Sequence, residues 1–160
     1  MTPRQTSEHG EQAGGKTMRV HVRRRGGVAF EATTDDGGHR VVIDGPATLG
    51  GEGGGMRPME LFLVSLATCS AMDVVMILGQ QRQALEDLDI EVEGKRADAV
   101  PAVYERIHLR FVATGEVAAN KLERAVQLSA EKYCSVSRML LPSVEVTHEA
   151  VLLPAGEDEE

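Results

Sequence analysis

Tryptophan is absent from the chain and aromatic residues make up only 3% of it, so the stacking platforms on which single-stranded nucleic acids lie are missing. Cationic residues are the minority: 17 Lys and Arg stand against 25 Asp and Glu, and the formal net charge of −8 repels phosphates. Nucleic acid is therefore not an expected partner. No apolar h-region with a small-residue cleavage site opens the sequence. A cytoplasmic location is expected, where the only two cysteines, Cys69 and Cys134, rest as thiols and a disulfide framework is excluded. The histidines, His9, His21, His39, His108 and His148, are scattered without a pair at ligand spacing, and no Cys-x-x-Cys occurs, so no metal is expected.

There is one long apolar run, from Met56 to Gly79. Pro58 suits the first turn of a helix, where its missing N–H costs nothing, and Gly79 suits the residue just past the end. Between them Leu61, Phe62, Leu63, Val64, Leu66, Met72, Val74, Val75, Met76, Ile77 and Leu78 occupy nearly every face, which predicts a helix buried on all sides with Cys69 in its middle. Roughly 20 apolar residues would also cross a bilayer. Glu60 and Asp73 lie inside the run, however, and no second stretch of similar length follows, so a core helix is expected and not a membrane span.

With 160 residues, 42% of them hydrophobic, the chain can bury a sizeable core, and one domain over residues 18–152 is expected. Residues 1–17 read as a flexible polar tail and residues 153–160 as an acidic one. Gly10 to Thr17 matches the phosphate-loop pattern letter for letter, but no apolar strand precedes it, and Met18 to Val22 alternates like a strand where that loop needs a helix.

Met18 to Arg25 and Val28 to Thr34 flank Gly26-Gly27 as a hairpin, and the turn Asp35 to Gly38 leads to a third strand from His39 to Asp44, a β-meander. The glycine-rich segment from Gly45 to Gly55 reads either as a plain connector or as a mobile lid. After the apolar helix, Leu88 to Glu93 and Val103 to Thr114 alternate with period two as strands. From Ala118 the spacing becomes helical through Leu122, Ala125, Val126, Ser129 and Tyr133, with Asn120 as N-cap. Pro142 closes this region and Val144 to Val151 forms a last strand. The architecture expected is α+β with sheet and helices segregated.

Three segments carry a resemblance: Arg57-Pro58-Met59-Glu60-Leu61; Ala67-Thr68-Cys69-Ser70-Ala71-Met72-Asp73-Val74-Val75; and Glu131-Lys132-Tyr133-Cys134-Ser135-Val136. Together they resemble the OsmC/Ohr family of osmotically and peroxide-inducible proteins, nearest its YhfA-like branch, over roughly Met18 to Ala150. The resemblance implies an intertwined homodimer of subunits with strongly bent antiparallel sheets and two central helices. It also implies thiol-dependent reduction of small organic hydroperoxides, with Cys69 attacking the peroxide and Cys134 resolving it. No bound cofactor is implied, only an external dithiol reductant.

The chemistry suits these residue types. A thiolate attacking an O–O bond becomes a sulfenic acid, and a nearby thiol condenses with it to a disulfide before over-oxidation. Buried free cysteines also occur simply as small hydrophobes. A binding module that holds a small acyl or thiol ligand in an apolar dimer crevice, without turnover, is the alternative function.

In one position the sequence departs from the peroxidase branches. There a glutamate follows the helix-opening proline and partners an arginine that holds the thiolate, whereas here Met59 occupies that place and Glu60 comes one residue later. At 100° per residue Glu60 lies half a turn of phase from Cys69, so it replaces the missing carboxylate only with a bulge in the helix and otherwise reads as a first-turn carboxylate facing the helix dipole. The cations available are Arg25 at the hairpin, Arg57 before the helix and Arg138 one turn past Cys134, each also readable as a solvated surface arginine. Asp73, four residues after Cys69, is expected to oppose a thiolate there. A weakly activated Cys69 is the consequence expected.

Overall fold

The computed structural model describes residues 15–155, so most of the 1–17 tail, the Gly10 to Gly14 part of the phosphate-loop match and the Glu157 to Glu160 tail lie outside the described residues. Its backbone contacts divide the chain into two compact units, one ending at Arg57 and the other beginning at Pro58.

The first unit is the expected meander. Strands β1 (Val20–Gly26), β2 (Ala29–Thr34) and β3 (Arg40–Ile43) form an antiparallel sheet in that order. β1 is a strand where a phosphate loop would need a helix. The first turn lies one residue later than expected: Gly26 pairs with Ala29, the turn is Gly27-Val28, and Arg25 is bulged out of the ladder. Gly27 at φ 48° supplies the left-handed conformation that such a turn needs. The glycine-rich segment after β3 is tied to Asp44, whose buried carboxylate accepts the N–H groups of Gly45 (2.8 Å), Glu52 (3.0 Å) and Gly54 (3.0 Å). This tie supports an ordered connector. The donors hold the Asp44 carboxyl below the usual carboxylate range against the effect of desolvation.

The second unit is built on helix α1 (Pro58–Gln80), strands β4 (Ala84–Arg96) and β5 (Tyr104–Glu116), helix α2 (Ala119–Leu128), a π-helical turn (Ser129–Tyr133), helix α3 (Ser135–Leu140) and strand β6 (Glu145–Leu153). β5 is the central strand, and its alternate residues Ile107, Leu109, Phe111 and Ala113 are fully buried beneath the helices. β4 pairs with it antiparallel, but β6 pairs parallel, with Ile107 opposite Val146 and Phe111 opposite Ala150. An all-antiparallel arrangement was expected. The cause is the connection, since α2 and α3 carry the chain back to the start of β5 before β6 begins, and a helical crossover yields a parallel neighbour.

Helix α1 corrects two expectations. It does not stop before Gly79 but runs to Gln80, and Arg82, at φ 55°, takes the left-handed position. The Gln83 N–H bonds to Leu78 O and the Arg82 N–H to Gly79 O, which satisfies the last carbonyls as a Schellman motif does. Nor is the helix covered on every side. Leu66, Ser70, Val74 and Leu78, one row at i, i+4, are fully buried on the core, whereas Val64, Met72, Val75 and Met76 are exposed, Met72 at 67% and Met76 at 62%. α1 is long and apolar enough to cross a membrane, but it packs on β4, α2 and α3 as a core helix. α2 is capped by Ala118 without a side-chain hydrogen bond, so Asn120 is not the N-cap and instead lies within the first turn.

Candidate thiol site

The fully buried row on α1 brings Ser70 to the second helical region. Ser65 and Thr68 spend their hydroxyl protons on the carbonyls of Leu61 and Val64, one turn back in the helix. Ser70 Oγ instead donates to Cys134 Sγ at 3.3 Å. Cys134 follows the π-helical turn and caps α3, its sulfur accepting the Ser137 N–H at 3.4 Å. A π turn inside a helical stretch re-aims the chain, and here it leaves Cys134 extended so that its side chain turns back over α3.

Cys69 is one residue before Ser70, at the edge of the buried row, and is half-buried where Cys134 is fully buried. Its thiol lies within hydrogen-bonding reach of Cys134, and the backbone N–H groups of Val136 and Ser135 face it. The first turn of α3 thus supplies N–H groups to both sulfurs. Burial pushes the Cys69 thiol above its ordinary range, and Cys134 pushes it further, while the two N–H groups pull the other way. Burial also acts to raise Cys134, but the donors from Ser137, Ser70 and Cys69 outweigh it and hold that thiol below its ordinary range. The more acidic sulfur is the more deeply buried one, because it has more donors.

Each of the other expected site residues has surroundings of its own. Arg25 is exposed in the first unit and donates to Glu31 at 3.2 Å. Arg57 is exposed immediately before α1. Glu60 is in the first turn of α1, close enough to Tyr104 to raise its phenol, an effect smaller than burial and opposed by Arg96. Tyr104 donates its hydroxyl to Met59 O at 2.7 Å, anchoring the start of α1. Asp73 does not turn its carboxylate to Cys69: Oδ2 accepts the Ser129 hydroxyl at 2.9 Å, and the influences on Cys69 are burial first, then the Val136 N–H and Cys134.

Arg138 is exposed on α3 and lines a cleft of about 700 Å³ with Ser137, Glu131, Val126, Leu141 and His148. His148 is stacked beside Phe111 with Nε2 buried and unpartnered, and burial keeps its imidazole below the ordinary range. Ser70, Ser129 and Ser137 are site residues that the sequence did not single out as such. The Cys134-Ser-Val-Ser137 spacing carried a signal for one of them, because a cap and the N–H it binds stand three residues apart.

The family model for OsmC-like proteins matches residues 51–149, which include both cysteines. Protein YhfA of Escherichia coli K12 is 39% identical over 112 residues, covering 69% of this chain and 81% of that protein. A hypothetical protein from Aquifex aeolicus has a solved structure that superimposes with a TM-score of 0.77 at 35% identity, covering 90% of this chain and all of that one. An organic hydroperoxide resistance protein, OsmC, from Legionella pneumophila superimposes with a TM-score of 0.67 at 25% identity over 85% of this chain and 97% of that one. The two sheets, the core helix and the match across both cysteine segments together place the chain in the OsmC-like family.

Proposed function

We propose that this chain reduces organic hydroperoxides with a pair of thiols, Cys69 as the attacking sulfur and Cys134 as the resolving one, in the cytoplasm and as a homodimer. The observation that carries this reading is the mutual contact of two cysteines 65 positions apart, one half-exposed and the other buried among donors. Cys69 S⁻ attacks the outer oxygen of ROOH, the O–O bond breaks, and RO⁻ leaves to become the alcohol. Cys134 S⁻ then attacks the sulfenic sulfur and displaces hydroxide, giving a Cys69–Cys134 disulfide. An external dithiol returns both sulfurs to the reduced state, so no bound cofactor is required.

The homodimer is supported by the exposed apolar stripe of α1, because a surface of Val64, Met72, Val75 and Met76 on a helix otherwise in the core is left for a second subunit to cover. Treatment with an alkyl hydroperoxide should give one intrachain disulfide by mass spectrometry and dithiol-dependent turnover. In Cys134→Ser the sulfenic acid at Cys69 should persist and then over-oxidise, whereas Cys69→Ser should leave Cys134 largely unreacted. Equal oxidation of Cys134 in both forms rejects these roles.

A second reading has its own observation in the cleft beside α3, where apolar Val126, Leu141 and Val146 stand with Glu131, Arg138 and His148. It is a site for a small acyl or thiol ligand held without turnover. Ligand binding with no hydroperoxide consumption in the presence of a dithiol selects it.

A further inference from the structure

The two sulfurs are not equivalent as leaving groups. Thiol–disulfide exchange depends on which sulfur can be approached and on how well the departing one carries charge. Cys69 is the approachable one. Cys134 is enclosed, with the Ser70 hydroxyl and the Ser137 N–H already directed at its sulfur. Ser137 Oγ is buried without a hydrogen-bond partner, yet it lies close enough to Cys134 to favour its anion. The nearest carboxylate on α1, Asp73, is turned to Ser129.

We propose that the Cys69–Cys134 disulfide is opened in one direction: an external dithiol attacks Cys69 Sγ, and Cys134 departs as a thiolate onto the Ser70 hydroxyl and the Ser137 N–H. This rests on the disulfide cycle proposed above and adds to it a direction and a residue, Ser70, that touches the leaving sulfur. In the first step the S–S bond breaks, a bond forms between the reductant sulfur and Cys69, and the electron pair goes to Cys134. In the second, the reductant's other thiolate attacks its own bound sulfur, leaving as a disulfide and releasing Cys69 as a thiolate that takes up a proton. The two electrons come from the dithiol.

The test forms the disulfide with diamide and not with a peroxide, so a protein that fails to turn over hydroperoxides still reports on the direction of opening. A monothiol such as glutathione is then added, exchange is stopped with acid, and the adduct is located by peptide mass spectrometry. The adduct is expected on Cys69 with Cys134 free. Ser70→Ala should slow opening by about tenfold, the scale of one lost hydrogen bond to a charged group, and leave the adduct on Cys69. An adduct on Cys134, equal labelling of both, an unchanged opening rate in Ser70→Ala, or failure of diamide to form an intrachain disulfide overturns the proposal. The wild-type adduct decides the direction even where the variant fails to fold.

Discussion

Alkylation of Cys69 should be slow at neutral pH and should accelerate by close to tenfold per unit between about pH 6 and 8. The magnitude follows from the direction of its shift. An ordinary thiol titrates near about 8.5, and a thiol held above that is ionised to a few per cent at most at neutrality, where each unit multiplies the thiolate about tenfold. Burial is the largest cause and the Cys134 sulfur the next opponent, while the Ser135 and Val136 N–H groups act in favour. Removing the opponent should therefore activate the nucleophile: in Cys134→Ser the rate at neutral pH should rise severalfold and the profile should move toward acid. Asp73→Asn should leave the profile in place, because the carboxylate is held by Ser129. The assay is iodoacetamide labelling at fixed ionic strength, with the modified peptide assigned by mass spectrometry. A wild-type rate that is flat across this range would show a thiolate already formed and refute the reasoning, as would a slower Cys69 in Cys134→Ser.

Met72→Glu with Met76→Glu should dissociate the proposed dimer. Full burial of a methionine is worth about 1.5–3 kcal/mol, so two largely exposed residues on each of two subunits put the loss on the order of 5 kcal/mol, more than a thousandfold in Kd. Sedimentation tests it, and a wild-type chain that is a folded monomer at micromolar concentration counts decisively against the interface. Gly94→Ala should destabilise the second unit by about 1–3 kcal/mol through overpacking. Its Cβ would stand 2.5 Å from Tyr104 Cε1 and 3.1 Å from Leu63 Cδ2, and the ring is tied by its hydroxyl to Met59 O, so an unchanged thermal midpoint contradicts this. Asp44→Asn should speed amide exchange across residues 45–55, since an amide cannot accept from all three N–H groups. Because the folded pKa of Asp44 is lowered, its contribution is complete above the ordinary carboxylate range and is lost as pH falls through the depressed value. The wild-type loop should loosen in that acid window, and exchange that is independent of pH there, after correction for the intrinsic rate, would reject the role.

Much of the architecture was legible because burial of one face imposes a period. The alternation around Ile90 and through Ile107, Leu109 and Phe111 marked β4 and β5, and the three-and-four spacing from Leu122 to Val126 marked α2. The apolar run from Pro58 located the core helix and Cys69 within it. Local chemistry was less decisive at the ends of elements. Gly79 looked like a helix stop, but α1 runs on to Gln80 and Arg82 takes the left-handed turn. The parallel seat of β6, the open face of α1 at Met72 and Met76, and the turning of Asp73 to Ser129 depend on partners far away in the chain, which no local period encodes. The pairing of Cys69 with Cys134 was legible only through the resemblance carried by their flanking residues. Which of the two sulfurs is the more acidic needed the tertiary structure: Ser70 faces Cys134 because it shares a buried row with Leu66 and Val74, and it joins the Ser137 N–H that Cys134 already binds locally as the cap of α3. A thiol's ionisation is set by the donors that surround it in space, and those donors come from segments more than sixty residues apart.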